Sequence, residues 1–181
     1  LINNKPIVFF INPPYASAGI KGENSKKGCA NTKINAQMKN DKIGACCQNL
    51  YAQFLYRILM IKREFNLTNC HIALFSPTLF LTGSSYAEFR NVFLNEFSFD
   101  DAIQFKASHF ADVADSWGIS FSIWHNGITE NKNDFEYTLV DNVDGEIINV
   151  GKKIVYNIDN KISTSEWIKC TEKATLDIPH V

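Results

Sequence analysis

The chain has 181 residues, 45% hydrophobic and 20% charged, with a formal net charge of −1. That suffices for one compact domain with its own core and is an ordinary balance for a soluble globular protein. It excludes a globally basic nucleic-acid binder, so any such signal must be local, and no apolar run is long enough to span a membrane. The opening Leu1-Ile2-Asn3-Asn4-Lys5 has neither the basic start nor the apolar stretch of a secretory leader. It also lacks Met and reads as a piece of a larger protein. Five cysteines (Cys29, Cys46, Cys47, Cys70 and Cys170) fit no zinc spacing and read as reduced thiols of a cytoplasmic protein.

The first element is Ile7-Val8-Phe9-Phe10-Ile11, a continuous apolar run that predicts a strand covered on both faces, as in a parallel α/β sheet. Pro13 and Pro14 end it, because neither can donate to a ladder. Residues 16–45 form a polar stretch predicted as one long loop. Between Lys21 and Lys42 it carries six Lys against Glu23 and Asp41, a local excess of four positive charges. Cys46 to Phe65 is predicted as a helix, with a stripe of Leu50, Phe54 and Ile58 widened by Leu55 and Leu59. A second short buried strand follows at Ile72 to Phe75.

Gly83 breaks the chain, and Ser85-Tyr86-Ala87-Glu88 has the form of a capping box opening a helix with Tyr86, Phe89, Arg90 and Phe93 at helical spacing. Strands are predicted near Ile103 to Lys106 and at Ile119 to Trp124, where Ile119, Phe121 and Ile123 alternate with Ser120, Ser122 and Trp124. Beyond Gly127, Phe135 to Asp141 and Glu146 to Val150 flank an Asp144-Gly145 turn, a hairpin signal. Ile154, Tyr156 and Ile158 alternate as a third strand. The order of elements is α/β in pattern.

The chemistry is concentrated in Asn12-Pro13-Pro14-Tyr15, at the C-terminal end of the first strand, where open α/β sheets place their sites. Pro13 pushes Asn12 toward an extended conformation, and both prolines fix their own φ angles. The Asn12 side-chain oxygen and the Pro13 carbonyl become fixed acceptors, and Tyr15 supplies a flat face beside them. Two acceptors gripping the N–H groups of a planar exocyclic amine favour a pyramidal nitrogen and stabilise the positive charge that develops on methylation. A base held this way must first leave the duplex, and stacking on Tyr15 would hold it. The alternative is a Pro-rich turn with Asn12 capping locally. The preceding buried strand, the basic loop and the amphipathic helix favour the functional reading. In that loop, Lys21, Lys26 and Lys27 are placed to contact phosphates beside the pocket.

With that motif, the chain over about residues 5–127 resembles the amino-methyltransferase family of restriction–modification DNA methylases. IVFFINPPY (Ile7 to Tyr15) resembles the catalytic strand and loop, and QNLYAQFLYRIL (Gln48 to Leu59) the helix after it. HIALFSPTLFLTG (His71 to Gly83), SSYAEFRNVFLNEF (Ser84 to Phe97) and WGISFSIW (Trp117 to Trp124) follow in the family's order. The resemblance implies the second half of a Rossmann-like methyltransferase sheet, mixed through a late antiparallel strand. Residues 1–127 would be a partial catalytic domain, and residues 128–181 a β-hairpin appendage and tail.

By resemblance, Asn12 and the Pro13 carbonyl bind the adenine amine, Tyr15 stacks on the base, and Pro14 and Trp124 line the base pocket. The implied substrate is DNA and the implied methyl donor is S-adenosyl-L-methionine. No G-x-G precedes Asn12, so the glycine-rich cofactor loop is missing and a separate N-terminal half becomes an expected partner. This chain alone is then expected to be inactive. The strand Ile7 to Ile11 would have lost a neighbour, which leaves an edge open to self-association. Protein glutamine side chains and RNA bases are alternative substrates for the same motif. A binding or assembly module that does not use the motif is the alternative outside enzymes.

Overall fold

The computed structural model describes residues 5–15, 32–109 and 118–157. Six strands are present among the described residues: β1 (Ile7–Ile11), β2 (Cys70–Ser76), β3 (Phe97–Lys106), β4 (Gly118–Asn126), β5 (Asp134–Val143) and β6 (Glu146–Tyr156). Four α-helices accompany them: α1 (Lys33–Asn40), α2 (Leu50–Glu64), α3 (Leu79–Thr82) and α4 (Ala87–Leu94). The strands form one open sheet in the order β1-β2-β4-β3-β5-β6. β1 pairs with β2 and β3 with β5 in parallel, and the other neighbours are antiparallel. The fold is therefore α/β with a mixed sheet, as the sequence pattern predicts. No helix among the described residues is long and apolar enough to cross a membrane.

Strand alternation sorts the side chains onto two faces. Ile7, Phe9 and Ile11 of β1, Ile72 and Leu74 of β2 and Trp124 of β4 share one cluster with Met38 of α1, Leu55 and Leu59 of α2 and Phe89 and Phe93 of α4. On the opposite face Val8 is 60% and Phe10 67% exposed. The expectation that β1 is covered on both faces fails here, because the helices of the described residues all pack on one face. β4 divides with it: Ser120, Ser122 and Trp124 are buried toward the helices, while Ile119, Phe121 and Ile123 are only half-buried on the other side.

Residues 33–40, predicted as loop, form α1. Thr32 caps it by accepting from the Asn35 amide at 2.9 Å, and Asn35 is buried with its amide group donating to the Cys47 carbonyl. Only Ile34 and Met38 mark an apolar stripe there, too sparse to be recognised among so many polar residues. Of the predicted α2 stripe, Leu55, Ile58 and Leu59 are buried, but Phe54 is 48% exposed, and Tyr51 and Tyr56 join the buried side instead. α2 ends where Asn66 takes φ 48, with the Leu67 amide reaching back to the Lys62 carbonyl at 2.9 Å. This is the Schellman arrangement.

The capping box does not form. Ser84–Tyr86 make a 3₁₀ turn, and α4 begins without a side-chain cap. Glu88 instead lies against Gly44, where a Cβ would fall 2.5 Å from its carboxylate. The Asp144-Gly145 turn does form, with φ 52 and 89, the two positive values that a tight hairpin requires. Its second strand, β6, runs unbroken through Tyr156, so the two strands predicted after the turn are one. The hairpin extends the same sheet, because β5 pairs with β3 at Ile103↔Thr138 and Gln104↔Leu139.

Candidate active site

The site is built from the end of β1. Parallel pairing sets Ile7 against Cys70 and Ile11 against Leu74. The ladder stops at Asn12 because the next two residues are prolines, which lack an N–H. Pro13 is buried, Pro14 and Asn12 are exposed, and Tyr15 is half-buried. Within these four residues the Tyr15 hydroxyl donates to Asn12 Oδ1 at 2.9 Å. Burial pushes the Tyr15 phenol up to about 12, so it is a neutral donor throughout the physiological range.

Behind Tyr15 stands a short series of aromatic rings. Tyr51, near the start of α2, meets it edge-on with ring centres 6.3 Å apart at 73°. Tyr86 stacks on Tyr51 at 5.5 Å and 22°. The Tyr51 and Tyr86 hydroxyls are buried and make no aligned hydrogen bond among the described residues. Burial, and then the neighbouring Tyr86, raise the Tyr51 phenol well above its ordinary value. Burial lifts Tyr86 to about 12. The motif therefore rests on a neutral, rigid aromatic support that reaches the core. Neither Tyr51 nor Tyr86 stands out as a site residue in the sequence. Tyr86 is legible only as part of a helical stripe, and nothing in the spacing links Tyr51 to Tyr15.

Trp124 lies elsewhere. It is fully buried on the helix side, its indole N–H donates to Ser122 Oγ at 2.9 Å, and it packs against Phe80, Phe93, Phe99 and Phe135. It pairs with Ile72, whereas the end of β1 is level with Leu74 and Ser122. Trp124 is a core residue here and is not brought together with Asn12 and Tyr15. Lys21, Lys26 and Lys27 fall outside the described residues. Of the same basic stretch, Lys33, Lys39 and Lys42 are exposed on and after α1.

A second feature shares this end of the sheet, on the open face. A cavity of about 370 Å³ is lined by Phe75, Ile103, Phe105, Phe121, Val140 and Ile147, among others. Asp141 stands at its rim, bonded to His109 Nε2 at 2.8 Å and to Lys106 Nζ at 2.9 Å. Phe10 approaches Phe75 and Phe121 with ring centres 6.0 Å away in each case. One apolar surface thus runs from β1 across to the β5–β6 hairpin.

No family profile and no curated protein sequence matches the chain. Among the solved structures similar to it are two of type I restriction–modification systems. One, from Vibrio vulnificus YJ016, is described as a modification subunit of a type I restriction enzyme. The two chains share 17% identity at a TM-score of 0.49, and the match covers 96% of this chain and 32% of that one. The other comes from a description of complex assembly and conformational transition in a type I restriction–modification system. It is 16% identical at a TM-score of 0.44, over 80% of this chain and 26% of that one. The chain thus spans about a third or less of the length of the structures it matches.

Proposed function

We propose that this chain carries the substrate-gripping part of an adenine-N6 DNA methyltransferase of the restriction–modification kind, within a larger protein. The observation that carries this reading is the position of Asn12-Pro13-Pro14-Tyr15. It directly follows a strand in parallel pairing, with the Asn12 carboxamide exposed, its oxygen oriented by a hydrogen bond, and an aromatic ring beside it. An exocyclic amine delocalised into a purine ring is a poor nucleophile. Fixed carbonyl dipoles that take its two hydrogens localise the lone pair and stabilise the charge that forms on nitrogen. Asn12 Oδ1 and the Pro13 carbonyl are assigned those roles, Tyr15 stacking, and Pro14 a wall of the base pocket. No ionised base is required, since the methylated nitrogen sheds its proton to water. Lys21, Lys26 and Lys27 are assigned to the DNA backbone.

No glycine-rich turn of the kind that holds S-adenosyl-L-methionine follows a strand among the described residues. No glycine-rich turn lies between Leu1 and Asn12, and β2 is followed by Pro77-Thr78. Donor binding is therefore assigned to another part of the parent protein. Support for such a part comes from β1, an edge strand among the described residues with Val8 and Phe10 exposed beside it.

The test is to express the full-length parent gene in cells devoid of adenine methylation and quantify N6-methyladenine in their DNA by mass spectrometry. The wild type is expected to mark DNA, and Asn12→Ala to lower the rate by about 10²–10³, as for loss of one fixed dipole at a reacting centre. DNA left unmarked by the wild type sinks the adenine-on-DNA reading and brings protein, RNA or binding-only roles forward.

A further inference from the structure

We propose that β6 is a pairing edge for a second copy of this chain, the two β6 strands running antiparallel about a two-fold axis near Asn149. β6 is the last strand of the sheet among the described residues, and residues 146–153 are all exposed. β5 pairs with β3 only at Thr138 and Leu139, so residues 140–150 of the hairpin have no third strand beside them. This projecting ribbon carries apolar side chains into water. Ile147 is 78% and Val150 53% exposed, and Val143 and Ile148 are exposed as well. A two-stranded ribbon without a covering layer is marginally stable, and an open edge presents a row of unpaired N–H and C=O groups.

The order of charges selects a second copy as the occupant. From residue 146, β6 reads Glu-Ile-Ile-Asn-Val-Gly-Lys-Lys: acidic at the start, mainly apolar in the middle, basic at the end. A strand of that order is complementary to itself when reversed. In an antiparallel pair, Glu146 of each copy comes beside Lys153 of the other, and the apolar residues meet between them. Neither Glu146 nor Lys153 makes an ion pair among the described residues, whereas Lys152 is engaged by Glu136. Residues opposite one another across such a pair must project from the same face. In a regular strand Glu146 and Lys153, an odd number of residues apart, would point to opposite faces. The bulge in β6 corrects this. Leu139 pairs with Gly151 and Val140 with Asn149, which leaves Val150 as an extra residue. Glu146 and Lys153 therefore stand opposite Val143 and Tyr137, an even number of residues apart, and share one face. Bulges and lysines on an edge strand usually prevent pairing. Here the bulge brings both charges to the face on which a second copy can match them. The contact is isologous and closes at two copies, with the Asn12–Tyr15 motif toward the far edge of each sheet.

The test is sedimentation equilibrium on this chain over a range of concentrations, where the wild type is expected to show a monomer–dimer equilibrium. Glu146→Lys and Lys153→Glu each set like charges opposite one another at both ends of the interface. Each should weaken the dimer about tenfold. The double variant Glu146→Lys/Lys153→Glu reverses both charges and should return to within about twofold of the wild type. An equimolar mixture of the two single variants should also re-form a dimer, because each copy supplies the charge that the other lacks. Both sites are exposed, so the variants should keep the wild-type unfolding midpoint. Phe10→Ala, at the opposite edge of the sheet, should leave the equilibrium unchanged. A wild type that is monomeric at every concentration overturns the proposal and leaves the edge to a different chain. A dimer that neither single variant weakens overturns it too. So does weakening in both single variants without recovery in the double variant and the mixture, because the two charges would then not be meeting across copies.

Discussion

The two faces of the sheet carry similar side chains in opposite circumstances. On the helix side, Phe80, Phe93, Phe99, Phe135 and Trp124 interlock with ring centres 5.1 to 6.1 Å apart, and Trp124 has no exposed surface. On the other side, Phe10, Phe75, Phe105 and Phe121 approach at 4.6 to 6.4 Å, yet Phe10 is 67% exposed. Aromatic contact alone therefore does not make a core. A covering layer does, because most of the hydrophobic gain comes from surface removed from water rather than from ring geometry. The difference locates where the described part of the molecule is finished and where it presents a surface to something else.

The largest expected effect is on the finished face. Trp124→Ala should destabilise the chain by about 3–5 kcal/mol, through lost burial and the cavity left among four aromatic rings. Urea unfolding followed by far-UV circular dichroism reads this directly. A loss under about 1 kcal/mol would mean that this cluster is looser than its geometry.

Phe10→Ala sharpens the contrast. In this chain it should cost no more than about 0.5 kcal/mol, as for a surface position. In the full-length parent protein the same substitution should cost about 3 kcal/mol if a further layer packs there. Equal small costs in both would leave the open face uncovered in the parent as well. A higher tendency of the wild type to form dimers, abolished by Phe10→Ala, would instead mark a second copy as its cover.

The smallest effect lies at the rim of the open-face cavity. Hydrogen bonds from Lys106, the Asn142 amide and His109 lower the Asp141 carboxyl from its ordinary value to about 2. A carboxyl with a depressed folded-state pKa contributes stability above its unfolded value, and that contribution is lost as pH falls through the folded value. The difference in urea midpoint between the wild type and Asp141→Asn should therefore be present at pH 5 and shrink between about pH 4 and pH 2. The group is only partly buried and its partner Lys106 is exposed, so the difference is small. A pH-independent difference would assign it to lost hydrogen bonding alone.

Much of the strand framework is legible in the sequence, for local reasons. β1 follows from five apolar residues stopped by two prolines. The hairpin follows from Asp144-Gly145, whose positive φ values few other pairs tolerate. The motif is equally plain, since proline restricts the backbone wherever it stands. α1 is hidden because its stability rests on Thr32 and the buried Asn35 rather than on an apolar stripe. Within the predicted α2 stripe Phe54 misleads, because the buried side of α2 runs through Tyr51, Leu55, Ile58 and Leu59, and the angle of approach is set by its partners.

By itself the sequence determined where the chain is rigid, where it turns, and where two successive prolines fix the backbone at the end of β1. These depend on the covalent limits of proline, the conformational freedom of glycine and the period of apolar residues. Only the tertiary structure decided which face of each strand is covered, that Trp124 belongs to the core, that Tyr51 and Tyr86 stand behind Tyr15, and that Tyr15 lies on Asn12. Each of these is a relation between side chains from separate elements or across a turn. It depends on how the elements pack, which no local pattern encodes.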